Sequence, residues 1–506
     1  MKKVLLGIFS AILVAINSFA YDFEVDDIFY NILPSGNEVE VTHDNDDASS
    51  DYSAYRKSRL TIPESVTYDG VIYNVVRIGD NAFRMSYRVR QLTLPSTITT
   101  IGDKAFYFCT HIEELDIPNA VTSIGEMAFF NCFRLSTLRI PALVSYLGQG
   151  VIMKCTGLTR ISVDSDNAHY CCENNIIYNI EKSAIIAAAP TISGELTIPE
   201  TVLRIEKNAF EFCTGITAVN FNENLEEIDD FAFYYCTGLN SLTLPASLRT
   251  LGYGVFFFCD ELTSVSVGGK LTHVADRAFS CIRNITQVEL KGDIETIGHS
   301  SFSNCIRLKD VVFSATSLSE IGNNAFMGNS AITTIAYPQS LTKIGEYAYA
   351  NCIKLRELTF GSHITNIGNY AYFESNRIRT INMAANEPPT IDENTFVEAH
   401  YNATQLNVPQ GCQSLYKAAA YWQNFQKMSE YDTAIDDVYA ERDALQASVE
   451  NGYITLHGID AQQQVNIYSI NGSLIYTTSS KQLPSIKLSC GVYIIQAGSQ
   501  TCKVAV

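Results

Sequence analysis

Short apolar runs that alternate with single polar residues recur along most of the chain. Leu92-Thr93-Leu94 is a clear example, and Pro95 follows it at once. Alternate side chains of a strand point to opposite faces, so the pattern predicts short strands with one buried and one wet side. Proline ends the strand because it has no N–H to donate to a neighbouring strand. The matching polar positions along the chain are Thr93, Asp116, Arg139, Ser162, Thr197, Asn220 and Thr243.

A hexapeptide of nearly constant form separates these predicted strands. It reads IGDNAF from Ile78 and IGDKAF from Ile101, and it recurs at a nearly constant interval, apart from one long step after Leu147. The interval of about 23 residues is typical of solenoid repeats, whose single units cannot bury their apolar side but share a continuous core when stacked. The spacing predicts a mostly β solenoid over residues 60–409, with its strands in one sheet. The copies begin at Ile78, Ile101, Ile124, Leu147, Ile205, Ile228, Leu251, Val274, Ile297, Ile321, Ile344 and Ile367.

The repeated unit resembles the BspA-type, or Treponema pallidum-type, leucine-rich repeat, which runs roughly L-x-x-I-x-L-P-x-x-v-t-x-I-g-x-x-A-F-x-x-C. The resemblance covers about residues 60–409 and recurs in every copy of the hexapeptide. It implies a leucine-rich repeat solenoid on a surface-exposed bacterial protein that is adhesive or binds a ligand. The family implies no enzymatic activity.

The long step between two copies of the hexapeptide contains an irregular insertion at about 164–190. Asn174-Asn175 is followed by Ile176-Ile177-Tyr178 and then by Ala184-Ile185-Ile186. Apolar runs beside such a turn signal predict a β-hairpin carried on one rung. It resembles the irregular rung often found in this family. The hairpin is either a solvated decoration or a binding loop.

The open ends of a stacked sheet need covers, because unpaired strand edges invite association. Residues 21–59 are predicted as an N-terminal β cap with edge strands at Phe23-Glu24-Val25 and Glu38–Val41. The acidic residues that follow predict a solvated loop rather than a calcium site, since the glycine and the bidentate glutamate of an EF-hand loop are absent. These residues are Asp44, Asp46, Asp47 and Asp51.

The C-terminal side of the repeats ends in a helical pattern. Leu415, Ala419, Trp422 and Phe425 follow helical spacing and predict a capping helix over 411–427, within a segment of residues 410–430. A helix that binds a partner would show the same pattern. Residues 431–450 are polar and unpatterned, which predicts a linker.

The last residues, 451–506, predict a small C-terminal β-sandwich built from two hairpins. The first runs from Val465 to Tyr476 with a turn at Asn471-Gly472, and the second ends with Lys503–Val506. This segment resembles the C-terminal sorting domain of type IX secretion substrates, which implies contact with an export machinery. An ordinary β-sandwich module without a sorting role is the alternative.

Residues 1–20 have the order of a secretory signal peptide. Lys2 and Lys3 precede an apolar run from Val4 to Ile16, and Ser18-Phe19-Ala20 has the form of a cleavage site. A buried N-terminal helix is the alternative. The pattern predicts a secreted or outer-surface protein without a transmembrane anchor in the mature chain. The net charge of −19 disfavours nucleic acids and anionic membranes as partners.

Cysteine also recurs at one position of the repeated unit. Five cysteines fall outside it, and the state of Cys171, Cys172, Cys412, Cys490 and Cys502 is left open. Nine others are assigned to one repeat position, where parallel rungs would hold their Cβ atoms about 4.8 Å apart. A disulfide needs Cβ atoms about 3.8 Å apart with converging directions, so these thiols are predicted to be reduced. They are Cys109, Cys132, Cys155, Cys213, Cys236, Cys259, Cys281, Cys305 and Cys352.

The sequence contains no pattern that predicts catalysis, a metal site or a cofactor. There is no HExxH pair for zinc, and Gly252-x-Gly254 lacks the third glycine of a dinucleotide loop. We therefore expect a binding protein that recognises an extracellular protein or glycan. Two alternatives are an extracellular enzyme, with a site in the insertion or between solenoid and tail, and a purely structural surface spacer.

Two faces of the predicted solenoid compete as the binding surface. The strand face is favoured, because a concave sheet is the usual recognition surface of solenoids. The turn face presents aromatic pairs such as Tyr107-Phe108, Tyr234-Tyr235 and Phe257-Phe258, together with Phe130 and Phe212. These rings either form a binding stripe or lie flat and shield the core. The candidate binding residues of the strand face are Thr93, Asp116, Arg139, Thr197, Asn220, Thr243 and Glu289.

Overall fold

The computed structural model describes residues 21–44 and 55–431, together with seven strands between 446 and 505. These residues form a mostly β protein with few helices, a β-solenoid of about 15 turns with rungs about 23 residues apart. The fold class predicted from the repeat is thus confirmed. The predicted signal peptide over 1–20 and the acidic residues Asp46, Asp47 and Asp51 lie outside the described residues.

The chain divides into two compact units. The first contains Met1–Ile332 and Gly345–Lys354, and the second contains Thr333–Ile344 and Leu355–Val506. Both units use the same kind of rung, in which a long strand, a two-residue strand and a turn follow one another.

The long strands of the first unit pair in parallel and bury every second side chain. Leu138 and Ile140 are buried in this way, whereas Thr137 is exposed. The strands form separate groups rather than the one sheet predicted, and the rung of Asp116 contributes only an isolated bridge from Glu114. The long strands are Arg59–Thr61, Gln91–Thr93, Thr137–Ile140, Arg160–Val163, Ser193–Thr197, Gly215–Asn220, Ser241–Leu242, Ser264–Val267, Gln287–Leu290 and Asp310–Phe313.

The two-residue strands carry the first residue of the hexapeptide. Ile101 pairs in register with Ile78 and Ile124, and all three side chains are buried. The next residue lies against the preceding rung, so that a Cβ on Gly148 would come within 2.2 Å of the Glu126 backbone nitrogen. Glycine fits this close approach at Gly148, whereas three copies of the hexapeptide have Glu206, Asp229 or Ala275 at the same position. The short strands are Thr100–Ile101, Ser123–Ile124, Tyr146–Leu147, Arg204–Ile205, Glu227–Ile228, Thr250–Leu251, His273–Val274, Thr296–Ile297 and Glu320–Ile321.

The turn that follows has a hydrogen-bond ladder of its own. The Phe106 N–H donates to the Ala128 carbonyl of the next rung at 2.8 Å. The Gly102 N–H donates in the opposite direction, to the Ile78 carbonyl of the preceding rung, also at 2.8 Å. Neighbouring rungs are therefore bonded through both their strands and their turns.

Stacked phenylalanine rings fill the core of the first unit. Phe233 is fully buried between Phe210 and Phe256, with centroid distances of 4.9 and 5.4 Å and interplanar angles of 9° and 13°. Such aromatic pairs contribute about 0.5–1.5 kcal/mol beyond the burial of their surface. A small residue, most often alanine, precedes most of these phenylalanines and is fully buried, as Ala232 is before Phe233, whereas Val255 precedes Phe256. Burial at both positions explains the Ala-Phe pair of the hexapeptide.

The N-terminal residues add antiparallel strands to the first unit. Phe23–Val25, Ile28–Ile32 and Glu38–Thr42 form consecutive antiparallel pairs, and the third pairs in parallel with Val71–Ile78. Val71–Ile78 also pairs with Ser65–Tyr68 and then with the first two-residue strand. The edge of the sheet is covered in this way.

The insertion forms the hairpin that was predicted, with one additional strand. Ile176–Asn179 pairs antiparallel with Ala184–Ala188, and Tyr170–Glu173 pairs with the other side of Ile176–Asn179. Asn174 and Asn175 have positive φ of 49° and 63°, the backbone that two-residue hairpin turns need. The extra strand was not predicted, because its sequence YCCE does not alternate.

The second unit continues the rung pattern and ends in helices and a final strand. Its long strands pair in parallel, and its two-residue strands do the same. The long strands are Thr334–Ala336, Glu357–Phe360, Thr380–Met383, Gln405–Pro409 and Lys427–Tyr431, and the short strands are Lys343–Ile344, Asn366–Ile367 and Thr390–Ile391.

The predicted capping helix over 411–427 is wrong in its extent. The structure has a helix at Gln413–Ala418, a 3-10 turn at Trp422–Asn424 and a strand that begins at Lys427, with a separate helix earlier at Glu398–Ala403. A left-handed backbone at Tyr421, with φ of 64°, interrupts the helical path. Trp422 is nevertheless buried, and its indole N–H donates to the Pro389 carbonyl at 2.8 Å.

The tail of the second unit contains two antiparallel sheets. One consists of Gln446–Glu450, Tyr453–His457 and Ile486–Lys487. The first of these strands lies inside the predicted linker 431–450, which is therefore too long, while 432–445 lie outside the described residues. Both predicted hairpins are confirmed as strand pairs in the other sheet, whose order is Leu474–Ser479, Gln464–Ser469, Val492–Ala497 and Gln500–Ala505.

Candidate binding surfaces

The predicted strand-face residues lie along the long strands of the first unit, but they do not form one site. Thr93 and Asp116 are exposed and line the same depression. Asn220 and Thr243 line a second, smaller depression of about 190 Å³. Thr197 is exposed on Ser193–Thr197, outside both depressions.

Two of the predicted residues are engaged within the protein. Arg139 donates to the Asp164 carboxylate at 2.6 Å, to the Asn119 side-chain oxygen at 2.7 Å and to the Ile117 carbonyl at 3.0 Å. Glu289 accepts a hydrogen bond from Ser266 at 2.7 Å. A guanidinium held by three acceptors is poorly available for a ligand. Arg139 therefore orders neighbouring rungs, a role that its polar strand position alone does not reveal.

The larger depression has a volume of about 1160 Å³ and is rich in arginine. Arg56 and Arg59 come from the start of the repeats, and Arg88 and Arg90 come from the loop before the strand Gln91–Thr93. Sequence reasoning missed these residues. The motif YRVRQ, which contains Arg88 and Arg90 and leads into a strand, was the one sequence signal for this arginine cluster. Arg56 and Arg59 lie some thirty residues earlier in the chain, so the sequence does not show that the two pairs are neighbours.

The depression also has an acidic wall, formed by the rung whose Glu114 bridges to Gln91. Glu113, Glu114 and Asp116 line it, together with His111. Glu113 also lies 3.6 Å from Arg134, in an exposed ion pair. The depression thus presents guanidinium donors and carboxylate acceptors on one concave surface.

The aromatic turn face is largely self-covered. Tyr107 stacks on Phe130 at 4.7 Å, and Phe257 stacks on Phe258 at 4.2 Å. Of the aromatic residues predicted for this face, only Tyr235 is exposed, at 39%. This packing favours the interpretation in which the rings shield the core.

A buried carboxyl interrupts the aromatic face at Glu211. Only 7% of this residue is exposed, and burial raises the pKa of its carboxyl to about 7, although a hydrogen bond from Asn208 and the charge of Lys154 act in the lowering direction. The Lys154 ammonium lies over the Phe130 and Phe212 rings, 5.4 and 4.4 Å from their centroids. The Glu211 carboxyl is thus buried beneath the aromatic rings of the turn face.

One cysteine of the predicted ladder is misplaced. Cys281 is partly exposed and has a positive φ of 57°, as has Phe108, the residue before the ladder cysteine Cys109. The ladder position of that rung is Ile282, which is fully buried. Eight cysteines therefore share the ladder position, and Cys281 lies one residue before it.

The ladder thiols are hydrogen-bond donors to the backbone. The Cys132 Sγ donates to the Phe106 carbonyl of the preceding rung at 3.1 Å, and Asn329 makes the same kind of bond to Phe302 at 2.9 Å. Cys109 bonds likewise, and burial raises the pKa of its thiol to about 12. A buried, protonated thiol is a poor nucleophile. The twelve cysteines that the structure describes are all free, with Cys171 and Cys172 partly exposed and Cys412 buried.

Among the described residues, no three histidine, cysteine or acidic side chains are placed to hold a metal ion. No helix within the described ranges is long and apolar enough to cross a membrane.

The fold and its exposed strand face define a leucine-rich repeat protein. The family profile of the BspA-type leucine-rich repeat region matches residues 76–187, 191–309 and 295–427, in six copies. Because these matches cover more than half of the chain, the protein belongs to the BspA-type leucine-rich repeat family. No match is found among curated proteins.

Solved leucine-rich repeat structures are similar to this chain, and the first of them shares its fold. A protein of Eubacterium ventriosum is 22% identical and has a TM-score of 0.53 over 65% of this chain and 93% of its own. A protein of Bacteroides ovatus is 21% identical, with a TM-score of 0.48 over 81% and 100%. A leucine-rich cell surface protein of Faecalibacterium prausnitzii is 21% identical, with a TM-score of 0.41 over 71% and 94%.

Proposed function

We propose that this protein is a secreted or cell-surface adhesin that recognises an extracellular protein or glycan through the strand face of its first unit. The observation that carries the proposal is the depression at Thr93 and Asp116. It lies on strands fixed by parallel pairing, and its wall is polar rather than apolar. Membership of the BspA-type family supports a binding role. We propose no catalytic role for the chain.

The array experiment tests this function directly. The purified chain is applied to arrays of extracellular-matrix proteins and of glycans. We expect selective retention on a small set of spots, because a rigid polar surface discriminates among ligands by hydrogen-bond geometry. Retention on no spot, with the protein shown to be folded by its melting transition, would leave the spacer alternative in place.

We also propose that residues 451–506 direct export. The two confirmed hairpins of the tail support this proposal, together with its resemblance to the sorting domain of type IX substrates. Deletion of the segment is expected to retain the protein inside the producing cell. The aromatic stack lies outside the tail, so the truncated chain should keep its melting transition. Unchanged surface labelling of the truncated chain would refute the sorting role.

A further inference from the structure

The large depression contains four exposed arginines, in contrast to the acidic character of the chain as a whole. The protein carries a net charge of −19, and arginines such as Arg204, Arg249 and Arg283 pair with carboxylates. Within the described residues, none of the four arginines of the depression makes an ion pair, and all four are exposed. They are Arg56, Arg59, Arg88 and Arg90.

The backbone beneath these side chains is fixed. The N–H groups of Arg90 and Gln91 donate to the Ser58 carbonyl at 2.9 and 3.1 Å. Val89, between the two arginines of the loop, is fully buried. The guanidinium groups therefore extend from an ordered base, which reduces the entropy that a ligand must overcome when it binds them.

The acidic residues of the depression restrict which functional groups a bound ligand can have. The carboxylates of Glu113, Glu114 and Asp116 disfavour a ligand whose side groups are all anionic, whereas they accept hydrogen bonds from the hydroxyl groups of a ligand that has both kinds of group. Guanidinium groups bind carboxylates and sulfates through paired hydrogen bonds. A ligand with both hydroxyl and acidic groups matches this surface.

The size of the depression favours a ligand that is a segment of a polymer over one small molecule. Its volume of about 1160 Å³ is above the range of about 300–1,000 Å³ that is usual for pockets holding one small molecule. We infer that the depression binds a segment of an acidic polysaccharide, with the arginines on its sulfate or uronate groups and the carboxylates on its hydroxyls. This inference rests on the proposed function and names the ligand class for the same face.

The experiment measures binding of defined probes to the purified chain. Heparin oligosaccharides and a polyuronate serve as acidic saccharides, dextran as the neutral saccharide, and polyglutamate as the acidic peptide. We expect both acidic saccharides to bind, with weaker binding at higher salt because the contacts are ionic. Dextran and polyglutamate are expected to bind at least tenfold more weakly.

Matched variants locate the site. Arg88→Gln with Arg90→Gln should weaken binding of the acidic saccharides at least tenfold. Arg249→Gln with Arg283→Gln removes the same charge from exposed residues outside the depression and should change binding less than twofold. Arg88→Lys with Arg90→Lys should give an intermediate loss, because lysine keeps the charge without the paired donors. Melting curves check that each variant is folded.

Three outcomes overturn the inference. Absence of binding to both acidic saccharides, equal losses in the two glutamine variants, or polyglutamate binding as tight as that of heparin would each do so. If the arrays identify a ligand that Asp116→Ala weakens and Arg88→Gln does not, the inference fails while the proposed function stands. If no probe and no array spot binds, the proposed function fails as well.

Discussion

Glu211 should make the stability of the solenoid depend on pH. Burial raises the pKa of its carboxyl from 4.5 to about 7 in the folded chain, so the folded state holds a proton that the unfolded chain releases between these values. The stabilising contribution is therefore complete below pH 4.5 and is lost as pH rises through 7. This rise in the Glu211 pKa corresponds to a loss of about 3 kcal/mol in the free energy of unfolding at pH 8.5, compared with low pH. Glu211→Gln removes the charge while keeping an oxygen that can accept from Asn208.

The assay is urea unfolding followed by circular dichroism at pH 4 and pH 8.5. The variant Glu211→Gln should match the parent at pH 4 and exceed its free energy of unfolding by about 2–3 kcal/mol at pH 8.5. Glu261→Gln, a change at an exposed carboxyl two rungs further along the chain, should stay within about 0.5 kcal/mol of the parent at both values. A difference between Glu211→Gln and the parent that is the same at both pH values would refute the reasoning.

Two further predictions concern the core. Phe233→Ala should lower the free energy of unfolding by about 3–5 kcal/mol, because it opens a cavity and removes two stacked pairs. Tyr235→Ser on the exposed turn should lower it by less than about 1 kcal/mol. Equal losses of the two variants in urea unfolding would contradict the stacked core. Thiol titration in denaturant without reductant should find at least the eight ladder cysteines free, and a value below about five would show that their stacking is wrong.

The hexapeptide allowed most of the fold to be predicted, since its residues have strict roles. Ile101 must be buried in a strand pair, Gly102 must touch the preceding rung, and Phe106 must stack. The offset of Cys281 was missed because the pattern was matched on the cysteine itself. When positions are counted from Val274, the first residue of that hexapeptide, Ile282 occupies the position that Cys109 has in its own rung.

The candidate site was harder to predict than the fold. Thr93 and Asp116 were found because they occupy equivalent polar positions on neighbouring rungs. The arginines nearby come from segments some thirty residues apart, and only the stacking of one rung on the next brings Arg59 beside Gln91. The hydrogen bond from Arg139 to Asp164 likewise depends on an insertion that has no regular pattern.

Paired substitution on the two faces tests the central claim most directly. Affinity for a ligand identified on the arrays is measured for the parent, for Thr93→Ala with Asp116→Ala, and for Tyr235→Ser with Phe257→Ser. We expect at least a tenfold loss in the strand-face variant and less than a twofold change in the turn-face variant, with melting curves to check that each protein is folded. Loss of affinity only in the turn-face variant would contradict the central claim and move recognition to the aromatic turns.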